Sequence, residues 1–343
     1  MKMPDHEAFH VKGLDELRAE IARMGLDIPL ADDLSPLAAP LPLAGKVLPN
    51  RFCALPIEGG DAQPDGSPGP LTFRRYTRYA QGGFGLIWME ATAVLDEARS
   101  KPAQLCLHPG SAAAFGELVR AIRRAAGERD VVIVLQLAHA GRNSKLGGAP
   151  RPILVHHSPA LDRAQGIPDS HPLATDDDLD RLQDTYVAAA RLAADAGIDG
   201  VDVKSCHKDL VSELNAASTR PGKYGGSFEN RTRFLLETIG RIRAQVPAIF
   251  VTTRLSVFDA IPYQYGFGVD KDDARVPDLK EPLRLVKALK QAGVPILNIS
   301  IGKPDAGPPG TPGPAEHPLQ TADRVIGLPS RVHPPCTAVL GVG

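Results

Sequence analysis

The stretch GIDGVDVKSCHKDLVSELNAASTRPGKYGGSFENRTRFLLE, Gly197 to Glu237, decides the fold. Val201 and Val203 carry a buried strand that runs straight into a titratable end at Lys204 and His207, and Ser227 then opens the next helix. In a barrel of parallel strands the side chains at the carboxyl ends point into the mouth, where an ionisable pair reads as chemistry before it reads as packing. The segment predicts an enzyme.

On either side, apolar strand-like runs alternate with helical patterns. The runs are VLPNRFCALP near Val47, LIWMEATAV near Leu86, VVIVLQLAH near Val131, GVDVKSCH near Gly200, IFVTTRLSV near Ile249, ILNISIG near Ile296 and TAVLGVG near Thr337. Thr175, with Asp178 three residues on, caps the helical run that closes on Gly197. Strand-then-helix alternation with glycine at helix ends marks parallel βαβ units, and repeated right-handed crossovers close a barrel. The expectation is an α/β fold of the TIM (β/α)8 type with seven strands and the eighth missing. Residues 1–45 read as an N-terminal arm and linker, residues 46–343 as the barrel. In the arm, Leu14, Leu17, Ile21 and Met24 recur at helical spacing, which predicts an amphipathic helix packed on the body. The Pro-rich stretch from Asp32 to Pro49 reads as a linker.

The 343 residues, 43% hydrophobic and 23% charged, fit ordinary globular usage. A formal net charge of −1 argues against a nucleic-acid partner and suits a small neutral or weakly charged ligand. No run approaches the roughly 20 apolar residues that cross a bilayer, and the first residues lack an apolar signal core, so a cytoplasmic protein without a membrane role is expected. The four cysteines are scattered, which predicts reduced thiols and no metal or iron–sulfur framework. Cys206, beside His207 and near Lys204, is the one placed to have its thiol perturbed. The oligomeric state is left open, a homo-oligomer included.

The order of signals resembles the Old Yellow Enzyme family of FMN-dependent oxidoreductases. The likeness rests on NRFCALP, GGFGLIWMEATAV, QLAHAGR from Gln136 to Arg142, GIDGVDVKSCH, KYGGSFENRTRFLLE and RLS at Arg254. The resemblance implies a bound FMN reduced by NADH or NADPH and reoxidised by an α,β-unsaturated carbonyl compound. It implies Leu55, Pro56 and Ile57 along one side of the flavin ring, Ala91 beside it and Gln136 on its pyrimidine edge. Arg254 would stand near N1, where negative charge builds on reduction. Lys204 and His207 fall where the family carries the pair that grips the substrate oxygen. His139 reads as bonding backbone in the loop that follows it, and Glu229, Asn230 and Arg231 as structural.

One position departs from the family pattern. Asp209 stands where a proton-donating tyrosine is usual, so protonation would fall to water, to Tyr224 or Tyr263, or to nothing efficient; Asp209 and Tyr224 read as substrate-side residues, with Tyr224 expected to reach the pocket. Only Gly341 and Gly343 are offered to the phosphate loops, so weak flavin retention by the 343-residue chain is expected. Three other readings are a dienoyl-CoA reductase or amine dehydrogenase relative, a Schiff-base lyase working through Lys204, and an inactive truncated barrel.

Overall fold

The computed structural model describes residues 10–28, 30–302 and 337–341, the last five by their backbone. Helix α1 (Leu14–Arg23) forms as the spacing predicts, yet it buries none of its residues. Its ion pairs stay within the arm, Arg18 bonding Asp15 at 3.1 Å and Asp32 at 2.7 Å. The packing expected of this arm is therefore corrected: periodicity shows that a helix has an apolar face, not that the fold supplies a surface for it.

After a single turn, α2 (Ser35–Ala38), the stretch read as a linker forms an antiparallel hairpin, β1 (Leu41–Leu43) with β2 (Lys46–Leu48). Leu43 and Leu48 are buried against Leu86, Trp88, Val132, Val134 and Ile296, so the hairpin plugs one end of the barrel interior. Lys46 fixes it from outside through a 2.8 Å ion pair with the buried Asp199.

The repeating units follow: β3 (Cys53–Ala54), α3 (Pro70–Gln81), β4 (Leu86–Ala93), α4 (Ala112–Ala126) and β5 (Val132–Ala138). An excursion then carries the small hairpin β6 (Lys145–Leu146) and β7 (Ala149–Pro150) and helix α5 (Pro159–Gln165), before α6 (Asp176–Asp195) and β8 (Gly200–Val203). Next come α7 (Leu210–Asn215), α8 (Phe228–Gln245), β9 (Phe250–Ser256), α9 (Lys280–Gln291), β10 (Ile296–Ser300) and β11 (Thr337–Gly341). Two helix starts are capped as the sequence predicts. Thr175 and Asp178 form a capping box on α6, and Ser227 accepts from the Asn230 N–H at 3.3 Å on α8. Each cap contributes about 1 kcal/mol.

One sheet runs β3-β4-β5-β8-β9-β10-β11, parallel from β3 through β10. Every strand lies beside the next one along the chain, the layout of a barrel rather than of a doubly wound sheet. Alternation sorts the side chains into two layers. Ile87, Met89, Ile133, Leu135, Val201 and Val203 pack outward in the same core as Phe115, Leu118, Tyr186, Phe234 and Ile239 of the helices. Their neighbours in sequence face the barrel interior.

The seventh strand is present but reversed. β11 pairs antiparallel with β10, Thr337 opposite Ser300 and Gly341 opposite Ile296. A run of apolar residues announces a strand, whereas its direction is set by the connection, and a parallel return requires a crossover. Gly341 therefore lies beside the first residue of β10, at the far end of the sheet from the mouth.

Candidate active site

The carboxyl ends of the parallel strands open into a cleft of about 1030 Å³. Pro56 and Ile57 from the loop after β3, Gln136 of β5, Lys204, His207 and Asp209 after β8, and Arg254 of β9 all line it. Leu55 and Ala91 do not. Ala91 sits in a bulge of β4, where the pairing steps from Met89–Leu135 to Thr92–Leu137, and its carbonyl accepts from Gln104 Nε2 at 3.1 Å. Bulges recur beside functional sites because they re-aim a strand's end.

Tyr224 is not in the cleft, which corrects the expectation. Its ring is fully buried in the helix layer, edge-on to Phe234, and its hydroxyl donates to Asp180 and accepts from Gln183 at 3.1 Å. The turn at Gly225 explains this. A Cβ there would lie 2.2 Å from the Arg220 carbonyl, so the backbone folds tightly on itself and throws the tyrosine outward. Gly341 is excluded by the reversed strand, and Gly343 lies outside the described residues.

At the floor lies Asp202, which none of the sequence motifs singles out. This carboxylate accepts from Trp88 Nε1 at 2.9 Å, from Gln136 Nε2 at 2.6 Å and from the Arg254 backbone N–H at 2.7 Å. Three interior strands are thereby tied to one side chain. Burial pushes the Asp202 pKa up to about 6 against the pull of those donors and of the Arg254 charge. The signal was in the sequence, since an Asp between Val201 and Val203 faces away from them, into the barrel. The Arg254 guanidinium also donates to the Pro56 carbonyl at 3.3 Å, which holds the β3 loop over the floor.

Along the wall runs a row of alternating charges. Lys101 bonds Glu58 at 3.1 Å, Glu58 stands 3.8 Å from the Lys204 ammonium, and Lys204 donates to Asp209 at 2.7 Å. Burial is the largest single influence on Lys204 and opposes its charge, but Asp209, Cys206 and Glu58 together outweigh it, and the ammonium is held above its ordinary range. His207 behaves oppositely: burial, then Lys204 and Arg254, push it down to about 2, so the ring is neutral. Its Nε2 has no hydrogen-bond partner among the described residues.

The backbone here is strained. His207 and Lys208 both adopt left-handed conformations, with φ of 63° and 60°. Such residues cost on the order of 1–3 kcal/mol each and persist where surrounding bonds enforce them. The enforcing bonds are the His207 N–H to Ser256 Oγ at 3.3 Å and the buried Lys208–Asp259 ion pair at 2.7 Å. Cys206, expected to be perturbed by its neighbours, is fully buried, and burial pushes its thiol up to about 12. It is inert rather than activated.

A third group stands outside the cleft and shapes it. Glu90, 1% exposed, accepts from Arg75 at 2.6 Å, from the Tyr76 hydroxyl at 3.1 Å and from the Gly59 N–H at 2.9 Å, while Arg75 also bonds Asp61 at 2.6 Å. The loop that carries Pro56, Ile57 and Glu58 is pinned at both ends. His139 makes the loop contact predicted for it, its Nδ1 accepting from the Gly141 N–H at 3.0 Å.

The residues fit a flat, mostly apolar ring with a polar edge. Proline and isoleucine lie to one side, a fixed guanidinium and a carboxamide lie at the floor, and His207 Nε2 is buried without a hydrogen-bond partner among the described residues. Buried orphans of this kind mark places where a bound group or water completes the bonding.

The model of the NADH:flavin oxidoreductase / NADH oxidase family matches residues 36–282. The chain is 27% identical over 281 residues to the NADH:flavin oxidoreductase FG08077 of Gibberella zeae, covering 77% of this chain and 66% of that protein. It is 30% identical over 260 residues to an NADH oxidase of Thermoanaerobacter brockii, covering 75% and 37%. The chain thus spans just under two thirds of the first relative and little over a third of the second. Among solved structures, the old yellow enzyme homologue from Zymomonas mobilis superposes with a TM-score of 0.64 at 24% identity, over 84% of this chain and 79% of that one.

Proposed function

Because the chain belongs to the NADH:flavin oxidoreductase / NADH oxidase family, we propose that it is an FMN-dependent oxidoreductase that reduces α,β-unsaturated carbonyl compounds with NADH or NADPH. The observation that carries the reading is the convergence of Pro56, Gln136, Arg254, Lys204 and His207 on one cleft. FMN, when bound, supplies the hydride. Pro56 and Ile57 would cover one face of its ring. Asp202 holds the amide nitrogen of Gln136, which leaves the carboxamide oxygen to accept from the ring's N–H edge. Arg254 places its charge where the ring turns anionic.

Lys204 and His207 act on the substrate. The ammonium and the neutral imidazole bind its carbonyl oxygen, draw charge from the β-carbon and stabilise the enolate as it develops. Asp209 orients Lys204. No tyrosine lines the cleft among the described residues, so the α-carbon takes its proton from water admitted through the open mouth. Schiff-base chemistry at Lys204 is disfavoured, since it needs the neutral amine and Asp209 keeps the charged form.

The test is NADPH oxidation driven by 2-cyclohexen-1-one in the FMN-loaded protein. Lys204→Met should lower kcat/KM about 100-fold, or about 3 kcal/mol, while FMN binding stays within twofold of the parent. Unchanged turnover in that variant removes Lys204 from the mechanism. A borohydride-trapped adduct on Lys204 with a carbonyl substrate returns the lyase reading.

A further inference from the structure

A second hollow, of about 420 Å³, lies behind the wall of the cleft, between the β5 loop, residues 152–154, residues 171–174 and the first turns of α6. Leu95, Leu154, Leu173, Leu179 and Leu182 give it one leucine wall, Glu97, Asp178 and Arg181 give it a charged side, and His139 also lines it. His139 is 3% exposed, and its tautomer follows from one bond. Nδ1 accepts from the Gly141 N–H, so in the neutral ring the proton is on Nε2. Burial lowers the ring to about 4, so it is neutral at working pH. No described group accepts from Nε2–H, while the His139 carbonyl accepts from the Leu210 N–H at 3.0 Å. Beside the Arg181–Asp178 ion pair, the hollow thus combines a leucine wall with one oriented donor that no described group uses.

We propose that this hollow is a second ligand site, separate from the cleft, for a compact apolar molecule bearing one carbonyl acceptor that takes the His139 Nε2–H bond. Its partition from the cleft is thin. Pro152 and His171 line both spaces, and a His171 Nε2 contact to the Pro152 carbonyl at 3.0 Å closes the wall between them. Occupancy of one space is therefore felt in the wall of the other. Thr185, half-buried on α6 at the rim, is a position from which the hollow can be filled without touching the cleft.

Benzophenone tests this in the full chain, because it is apolar, carries one carbonyl and inserts into nearby C–H bonds on irradiation. Saturable labelling is expected on peptides holding Leu154, Leu173 or Leu182, reduced at least tenfold in Thr185→Trp. Diphenylmethane, the same shape without the acceptor, should compete about fivefold more weakly than unirradiated benzophenone, the worth of one hydrogen bond. Labelling confined to Ile57 or Ile167 of the cleft overturns the proposal. So does labelling that is unsaturable or indifferent to Thr185→Trp, or equal competition by the hydrocarbon. Circular dichroism of Thr185→Trp establishes that lost labelling is not lost folding, and the hydrocarbon comparison needs no variant.

Discussion

Asp202 joins the chain's single tryptophan, Trp88, to the floor of the cleft, which makes its ionisation readable. Its folded pKa of about 6 is raised from 3.8, so between about pH 4 and 6 the folded state keeps a proton that the unfolded chain has released. The sign follows: this carboxyl stabilises the fold fully below about pH 4, and that contribution is lost as pH rises through about 6. Trp88 emission should titrate with a midpoint near pH 6, and Asp202→Asn should abolish the transition. An emission flat from pH 4 to 8 in the parent contradicts the assigned bond. Asp202→Asn should also cost about 1–3 kcal/mol in urea denaturation at pH 7, since a carboxamide cannot accept from all three donors.

The elements show what a sequence announces and what it withholds. Seven strands were legible as apolar runs, and Gln136, Lys204, His207 and Arg254 were legible because each interrupts or ends such a run on the face away from the helices. The direction of β11 was not, because direction belongs to the connection. The β1–β2 hairpin was hidden by its prolines, although Leu43 and Leu48 were there to fill the barrel's end. Tyr224 was misplaced because one tight glycine turn decides which side of the loop it takes. Glu58 carried no pattern at all, since its place depends on how the β3 loop is pinned by Arg75 and Glu90. That pinning is testable. Arg75→Met leaves Glu90 buried without its cation, and should cost about 3 kcal/mol. Amide exchange at Ile57 to Gly60 should accelerate at least tenfold while exchange in β8 stays slow. Equal acceleration in both would mean a global loss of stability rather than a freed loop.

For the whole molecule, acid is the discriminating condition. His207 is lowered from 6.5 to about 2 and His139 to about 4, both chiefly by burial, so below pH 6.5 the unfolded chain takes up protons that the folded chain refuses. Their contribution is present above pH 6.5 and is lost as pH falls. At about 1.4 kcal/mol per pH unit for each imidazole, the two outweigh the opposite gain from Asp202. The urea midpoint should therefore drop between pH 7 and pH 4.5, and His207→Asn should blunt the drop. A midpoint that holds steady would contradict the buried, neutral state of these rings.

The central claim is that the cleft floor binds a flavin ring through Gln136 and Arg254. Lumiflavin, the ring without its phosphate tail, probes this directly by fluorescence quenching on titration with the purified chain. Saturable one-to-one quenching is predicted, weakened at least tenfold by Arg254→Met. Absence of saturable quenching by either lumiflavin or FMN, or equal affinity in the parent and in Arg254→Met, would contradict it.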